Sequence, residues 1–300
     1  MTNKAIDIGF LEEKSNWLLH PRFFPSKVGG KPAWLDLKNL PNPSELTCKR
    51  CNDPLIFLCQ VYSPYEEKDE CFHRTIFIFI CKKGSCCQAN DSDNFLVLRC
   101  QIPRKNDYYS FGPNEADVDE QTDPPNSNFV VTEGAKSLLF KEWELMVDEE
   151  DEEDPTTVDT NQEMEKLRKM IAEKKAGTME NLSEKELEQY TGSMPEDKVF
   201  NKFSKRIARH PDQVLRYDRG GIPLWITTNT GNSPIPNCKY CNGERHFEFQ
   251  IMPQLLNFIN VGIEFNSIDW GVLAVYTCKE SCNEGPAYKE EFLIKQDLTT

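Results

Sequence analysis

Histidine is scarce in this 300-residue chain, with four copies, and cysteine is absent from positions 101 to 237 although twelve stand elsewhere. The histidines, His20, His73, His210 and His246, sit in no metalloprotease or nucleophile-elbow context, so no enzyme activity is expected. Long apolar runs are missing too. "TIFIFIC" at 75–81 and "WGVLAVYTC" at 270–278 fall well short of the ~20 residues a membrane-spanning helix needs. The opening "MTNKAIDIGFLEEKSNW" has neither a basic nor a continuous apolar signal region, which points to the cytoplasm, with access to the nucleus. Positive charge is in deficit: 35 Lys and Arg against 49 Asp and Glu give a net −14. Such a chain repels nucleic acid and anionic membrane at long range and favours a basic partner.

In a reducing compartment twelve cysteines are not a disulfide framework, and their spacing decides between metal ligands and core filling. A repeat organises them. Gly29, Gly30, Pro32 and Trp34 match Gly220, Gly221, Pro223 and Trp225 at an offset of 191, and Cys48 and Cys51 match Cys238 and Cys241 at 190. "PLIFLCQVY" then aligns with "HFEFQIM", bringing Phe57 and Gln60 onto Phe247 and Gln250, and an apolar strand leads in each half to a second pair, Cys81 with Cys86 and Cys278 with Cys282. "FLVLRCQ" at 95–101 resembles "EFLIKQD" at 291–297. Both units are rich in Ile, Phe, Val and Tyr and read as β. One short helix is expected in "MPQLLNFI" at 252–259, with Pro253 at its first position.

Two Cys-x-x-Cys knuckles, each joined by a hairpin to a second pair, give two sets of four thiolates: Cys48, Cys51, Cys81 and Cys86, and Cys238, Cys241, Cys278 and Cys282. Four thiolates suit tetrahedral Zn²⁺ and leave no open position for a catalytic water, so both sites should be structural. Such a site is worth roughly 10–16 kcal/mol in small peptides, comparable to a domain's whole stability. Cys87 competes with Cys86 for the fourth position, and Cys86 is preferred because its spacing from Cys81 is nearer that of Cys278 and Cys282. Cys71 and His73 are an alternative ligand source, whereas Cys59 and Cys100, inside apolar strands, read as core residues. The Gly-Gly pairs lack the following Gly-Lys-Ser/Thr of a phosphate loop and read as strand-entry turns, with Trp34 and Trp225 packed nearby.

Between the repeats, 111–128 reads as a flexible loop, and "FKEWELMV" at 140–147 as a strand rejoining the sheet. Half of the net charge follows in one run, Asp148, Glu149, Glu150, Asp151, Glu152, Glu153 and Asp154. Capping boxes at Thr160 with Glu163 and at Ser183 with Glu186 signal helices. In "PEDKVFNKFSKRIARH" at 195–210, Val199, Phe203 and Ile207 share one face, with Lys202, Lys205, Arg206 and Arg209 opposite. The expected fold is α+β and β-rich: two pseudo-duplicated zinc-stapled units, 1–111 and 195–300, around an acidic, partly helical linker, 112–194.

The phrases "FPSKVGGKPAWL", "FLCQVYSPYE", "FHRTIFIFIC", "QIPRKNDYYSF", "FEFQIMPQLLNFI" and "SIDWGVLAVYTC" resemble the programmed cell death protein 2 family, over about 7–111 and 195–298, and its founding branch more than the "-like" one. The resemblance implies a non-enzymatic factor of 40S ribosomal subunit biogenesis, a dedicated chaperone that captures a newly made basic small-subunit ribosomal protein. The acidic total agrees with a basic client. Asp148 to Asp154 are then candidate partner-binding residues, flanking a cleft between the repeats. Founding-branch members commonly carry a MYND-type zinc finger between the halves; without cysteine at 101–237, this chain has none there. The competing expectation is a zinc-ribbon protein binding nucleic acid through the basic face of 202–209.

Overall fold

Runs of Ile, Phe, Val and Tyr make strands whose unpaired edges invite aggregation, and closing the sheet on itself removes those edges. The chain takes that solution. A computed structural model describes residues 6–109, 139–150, 198–229, 234–259, 261 and 267–298. Its strands are β1 (Asp7–Glu12), β2 (Lys27–Val28), β3 (Ile56–Tyr62), β4 (His73–Ile80), β5 (Phe95–Ile102), β6 (Trp143–Glu149), β7 (Leu215–Tyr217), β8 (Arg245–Ile251), β9 (Val272–Cys278) and β10 (Tyr288–Gln296). They close as β1-β6-β2-β3-β4-β5-β10-β9-β8-β7, with β7 returning to β1. Each half supplies an antiparallel meander, and the meanders meet where β5 pairs with β10, Tyr288 opposite Cys100 and Glu291 opposite Val97. On the far side β1 and β6 complete the ring, so the expected strand at 140–147 does rejoin the sheet.

Alternation sorts the side chains. On β4, Ile76, Ile78 and Ile80 point into the barrel, whereas Phe77 and Phe79 point outward beneath Trp34, so the strand is buried on both faces. The interior joins both halves: Val28, Leu58 and Val97 meet Leu215, Phe249, Leu273 and Val275, with Trp270 at 0% exposure among them. Helix α1 (Lys198–Arg209) lays Phe200, Phe203 and Ile207 on Ile226, Met252 and Val272. Phe200 takes the central place expected of Val199, which is only half-buried. Helix α2 (Leu255–Phe258) adds Leu255 and Leu256 to the barrel core, and Pro253 precedes it rather than standing at its first position. The expected loop at 111–128 and the helices near Thr160 and Ser183 lie outside the described residues.

The repeated phrases build the same geometry twice. Gln60, 1% exposed, accepts a hydrogen bond from Ala33 N–H at 2.8 Å and donates to the carbonyls of Pro25 and Ala33. Gln250 accepts from Leu224 N–H at 2.6 Å and donates to Leu224 O at 3.1 Å. Each glutamine thus clamps the strand-entry loop of its own half, and satisfying a buried amide this way explains a polar residue in an apolar strand. Gly29, Gly30 and Gly220 have φ of 68°, 64° and 80°, the left-handed turn that glycine permits. Trp34 packs on Phe77 and Phe79, and Trp225 on the group formed by Phe247, Ala274 and Tyr276.

Candidate metal centres and the mouth of the barrel

In each half the first cysteine pair sits on a turn closed by its own backbone. Cys48 N–H bonds Asp53 O at 2.8 Å and Asn52 N–H bonds Cys48 O at 2.9 Å; Cys238 N–H bonds Gly243 O at 2.8 Å and Asn242 N–H bonds Cys238 O at 2.8 Å. Asn52 (φ 57°) and Asn242 (φ 58°) take the left-handed conformation that asparagine tolerates, which lets both sulfurs face inward. The second pair comes from the ends of β4 and β9. All four Sγ atoms in each cluster lie within 4.8 Å of one another.

The spacing fits a metal ion. Cys51 and Cys81 sulfurs are 3.7 Å apart, Cys238 and Cys282 3.7 Å, and Cys241 and Cys278 3.6 Å. A tetrahedral ion with metal–sulfur bonds of about 2.3 Å separates its ligands by roughly 3.8 Å. Burial pushes the thiols of Cys81, Cys86, Cys278 and Cys282 up. The N–H of Asp53 draws Cys51 down, and against its own burial Cys238 is drawn down by the N–H groups of Cys241 and Tyr240. A cation at the centre would supply the charge that lets all four ionise. The eight expected cysteines are therefore brought together as two groups that can hold metal ions.

The neighbours bear on the two open assignments. Cys86 lies in the first cluster, while Cys87 turns away and donates to Asp269 O at 3.1 Å. His73 stacks on Phe24 at 4.0 Å and bonds the Tyr62 hydroxyl at 2.9 Å, and neither it nor Cys71 joins a cluster. Cys59 and Cys100 are fully buried in strands, and burial raises the Cys100 thiol to about 12.

Buried ion pairs that no motif announced tie the halves together. Arg99 of β5 is gripped by Glu291 of β10 at 2.7 Å and reaches Cys282 O at 3.2 Å, so the second cluster is braced by the first half. Arg74 of β4 holds Glu248 of β8 through two bonds of 2.5 and 2.7 Å, and Arg219 joins at 3.2 Å. The only sequence signal was a charge inside each apolar strand.

The acidic run is divided by the fold. Asp148 and Glu149 end β6 and are exposed, whereas Glu150 is buried and makes two bonds to Arg216, at 2.9 and 2.8 Å, with Arg206 at 3.6 Å. Its carboxyl is held low by Arg216 and Arg206 although burial opposes this. Asp151, Glu152, Glu153 and Asp154 lie outside the described residues. Beside β6 opens a cavity of about 510 Å³ lined from both halves, by Phe23, Phe24, Tyr62, Val147, Tyr217 and Arg219 among others. It occupies the mouth of the barrel, above Leu145 and Leu215 of the interior.

A closed antiparallel barrel bearing two four-cysteine clusters and a mouth shared by both halves defines a β-rich protein with two candidate metal sites and no described helix long and apolar enough to cross a membrane. The chain belongs to the programmed cell death protein 2 family: family models of that protein's N-terminal and C-terminal domains match residues 5–116 and 197–297. Programmed cell death protein 2 of Rattus norvegicus is 37% identical over 350 aligned positions, covering 98% of this chain and 97% of that protein. Programmed cell death protein 2-like of Homo sapiens is 28% identical over 334 positions, covering 91% and 90%. A Schizosaccharomyces pombe protein named "Probable 20S rRNA accumulation protein 4" is 38% identical over 99 residues, covering 29% of this chain and 24% of its own length. No solved structure matches.

Proposed function

We propose that this chain is a non-enzymatic binding protein of 40S ribosomal subunit biogenesis, a dedicated chaperone that receives a newly made basic small-subunit ribosomal protein. Two structural Zn²⁺ ions, one per four-cysteine cluster, would staple two copies of one β unit. All-thiolate ligation favours zinc among the common biological ions. Family membership across nearly the whole chain carries the reading, and the fission-yeast relative, named for 20S rRNA accumulation, supports a place in ribosome assembly. The net charge of −14 suits a basic client met in the cytoplasm or nucleus. A nucleic-acid reading draws on exposed Lys202 and Lys205, but Arg206 on the same helix is turned to Glu150, which leaves a small basic patch on an acidic protein.

The test is to purify the tagged chain from cytosol with and without RNase treatment and read its complexes by native mass spectrometry. One small-subunit ribosomal protein at equal stoichiometry, with two zinc ions per chain, is expected. Ribosomal particles or RNA that vanish with RNase, leaving the chain alone, would overturn it.

A further inference from the structure

Strand β6 has an edge that the barrel does not use. Leu145 N–H donates to Ser26 O at 3.0 Å on the β2 side, whereas Glu150 N–H donates to Ile6 O at 2.7 Å on the β1 side. Alternation in an antiparallel ladder therefore turns the N–H and C=O of Val147 and Glu149 away from β1, toward the side where β2 would lie. But β2 is two residues long: Val28 faces Trp143 and Lys27 faces Glu144. Beyond it Pro25 has no N–H, and Phe24, with φ of 49°, turns the chain into the tight turn Pro21–Phe23. Among the described residues no strand lies beside Val147 and Glu149. The gap is the mouth cavity. Val147 is 38% exposed, and Phe23 and Trp17, 43% and 40% exposed, pack edge to face close by, with ring centres 5.7 Å apart.

We propose that this edge is a strand-addition site, where an extended segment of a basic partner pairs with Val147 and Glu149 and places alternate apolar side chains in the cavity. The proposal rests on the client reading above and gives it a mechanism. Main-chain pairing supplies affinity without demanding a folded partner, as a newly made protein requires. The aromatic lining takes one face of such a segment. Exposed Asp148 and Glu149 suit Lys or Arg on its other positions.

A fluorescein-labelled decapeptide of alternating valine and lysine is the probe, read by anisotropy against the full chain, with an alternating valine–glutamate peptide as control. Val147→Pro removes the outward N–H and no bond to β1, and proline is tolerated at a strand edge. We expect Val147→Pro to weaken the lysine peptide about tenfold, Val147→Ala to weaken it less than about threefold, and both to keep the wild-type melting temperature and metal content. If Val147→Pro misfolds, Glu149→Pro asks the same of the next outward N–H. Equal losses from proline and alanine would leave only a side-chain contact and overturn the edge. So would peptide binding that appears only once residues 151–197 are removed, which gives the edge to the chain's own segment, or a wild-type dimer that Val147→Pro dissolves. A ribosomal client retained undiminished by Val147→Pro sinks strand addition and leaves the client reading standing. No client with the wild type sinks that reading, and the peptide measurement still decides the edge.

Discussion

Glu248 is wholly buried and charged. Burial alone would raise its carboxyl, but Arg74, Arg219 and the Thr277 hydroxyl hold it well below its ordinary 4.5. It stands at an irregularity of the β8·β9 ladder, between Phe247 and Phe249, matched in β3·β4 by Leu58 between Phe57 and Cys59. The same place in the fold thus holds an apolar residue in one half and an ion pair in the other. Removing one partner of a buried pair costs about 3–5 kcal/mol, so Glu248→Gln should lower unfolding free energy by that order at pH 7. Because the folded carboxyl lies below its unfolded value, its contribution is complete above about 4.5 and is lost as pH falls through the folded value. Urea unfolding across pH should therefore show a constant gap between wild type and variant from neutrality to about 4.5, narrowing only below it; a gap that closes between pH 7 and 5 would contradict the assignment. Such pairs were poorly legible in the sequence, since Glu248 in "HFEFQ" looks like an outward-facing strand residue until Arg74 of the other half is beside it. The cysteines were better legible. Two points were not legible: Cys71 and His73 stand apart from the clusters only in three dimensions, and the adjacent Cys86 and Cys87 differ because the tight turn Gly84–Cys86 sends neighbouring side chains in different directions.

Knuckles and entry turns read well because their geometry is local: a Cys-x-x-Cys-Asn stretch closes on its own backbone, and Gly-Gly permits positive φ wherever it occurs. What surrounds each turn is not local. A Cβ at Gly29 would lie 2.0 Å from Lys141 O, in the backbone leading into β6, whereas at Gly220 the nearest atom is His246 Nδ1 at 3.9 Å. Both substitutions carry the left-handed penalty of about 1–2 kcal/mol. Gly220→Ala should stop there, while Gly29→Ala should cost about 3 kcal/mol or more by pushing β6 off β2. Thermal and urea unfolding of the pair would check this, and equal losses would mean that β6 yields freely. The acidic run shows the opposite limit of local reading. Seven like charges look like one solvated stretch, yet the strand continues through Asp148 and Glu149 and then buries Glu150 against Arg216, a basic residue 66 positions away.

The repeat was visible from end to end, but closure was not. Two meanders side by side, each complete, would satisfy the same sequence pattern. The fold instead joins β5 to β10 and uses β1 and β6 as the remaining staves, pairings that link residues as far apart as Asp7 and Tyr217 and leave no trace in local periodicity. The unit boundaries at 111 and 195 consequently mark sequence repeats whose strands depend on each other. A chain of residues 1–111 contains β1 without β6 or β7, and β5 without β10, so it exposes three long edges and half of a shared core. Expressed alone it should aggregate, and its four thiolates should take up metal without giving a cooperative melting transition. Extending it to residue 150 restores β6. Co-expressed with 195–300, that longer piece should then form a one-to-one complex, because β5·β10, β7·β1 and the Arg74–Glu248 and Arg99–Glu291 pairs can all re-form. Size-exclusion with light scattering and differential scanning calorimetry would decide. A monomeric, cooperatively melting 1–111 would mean that each four-cysteine unit stands by itself and the barrel is an assembly of two finished parts; joint melting of the pieces would mean that the mouth exists only when both halves are present.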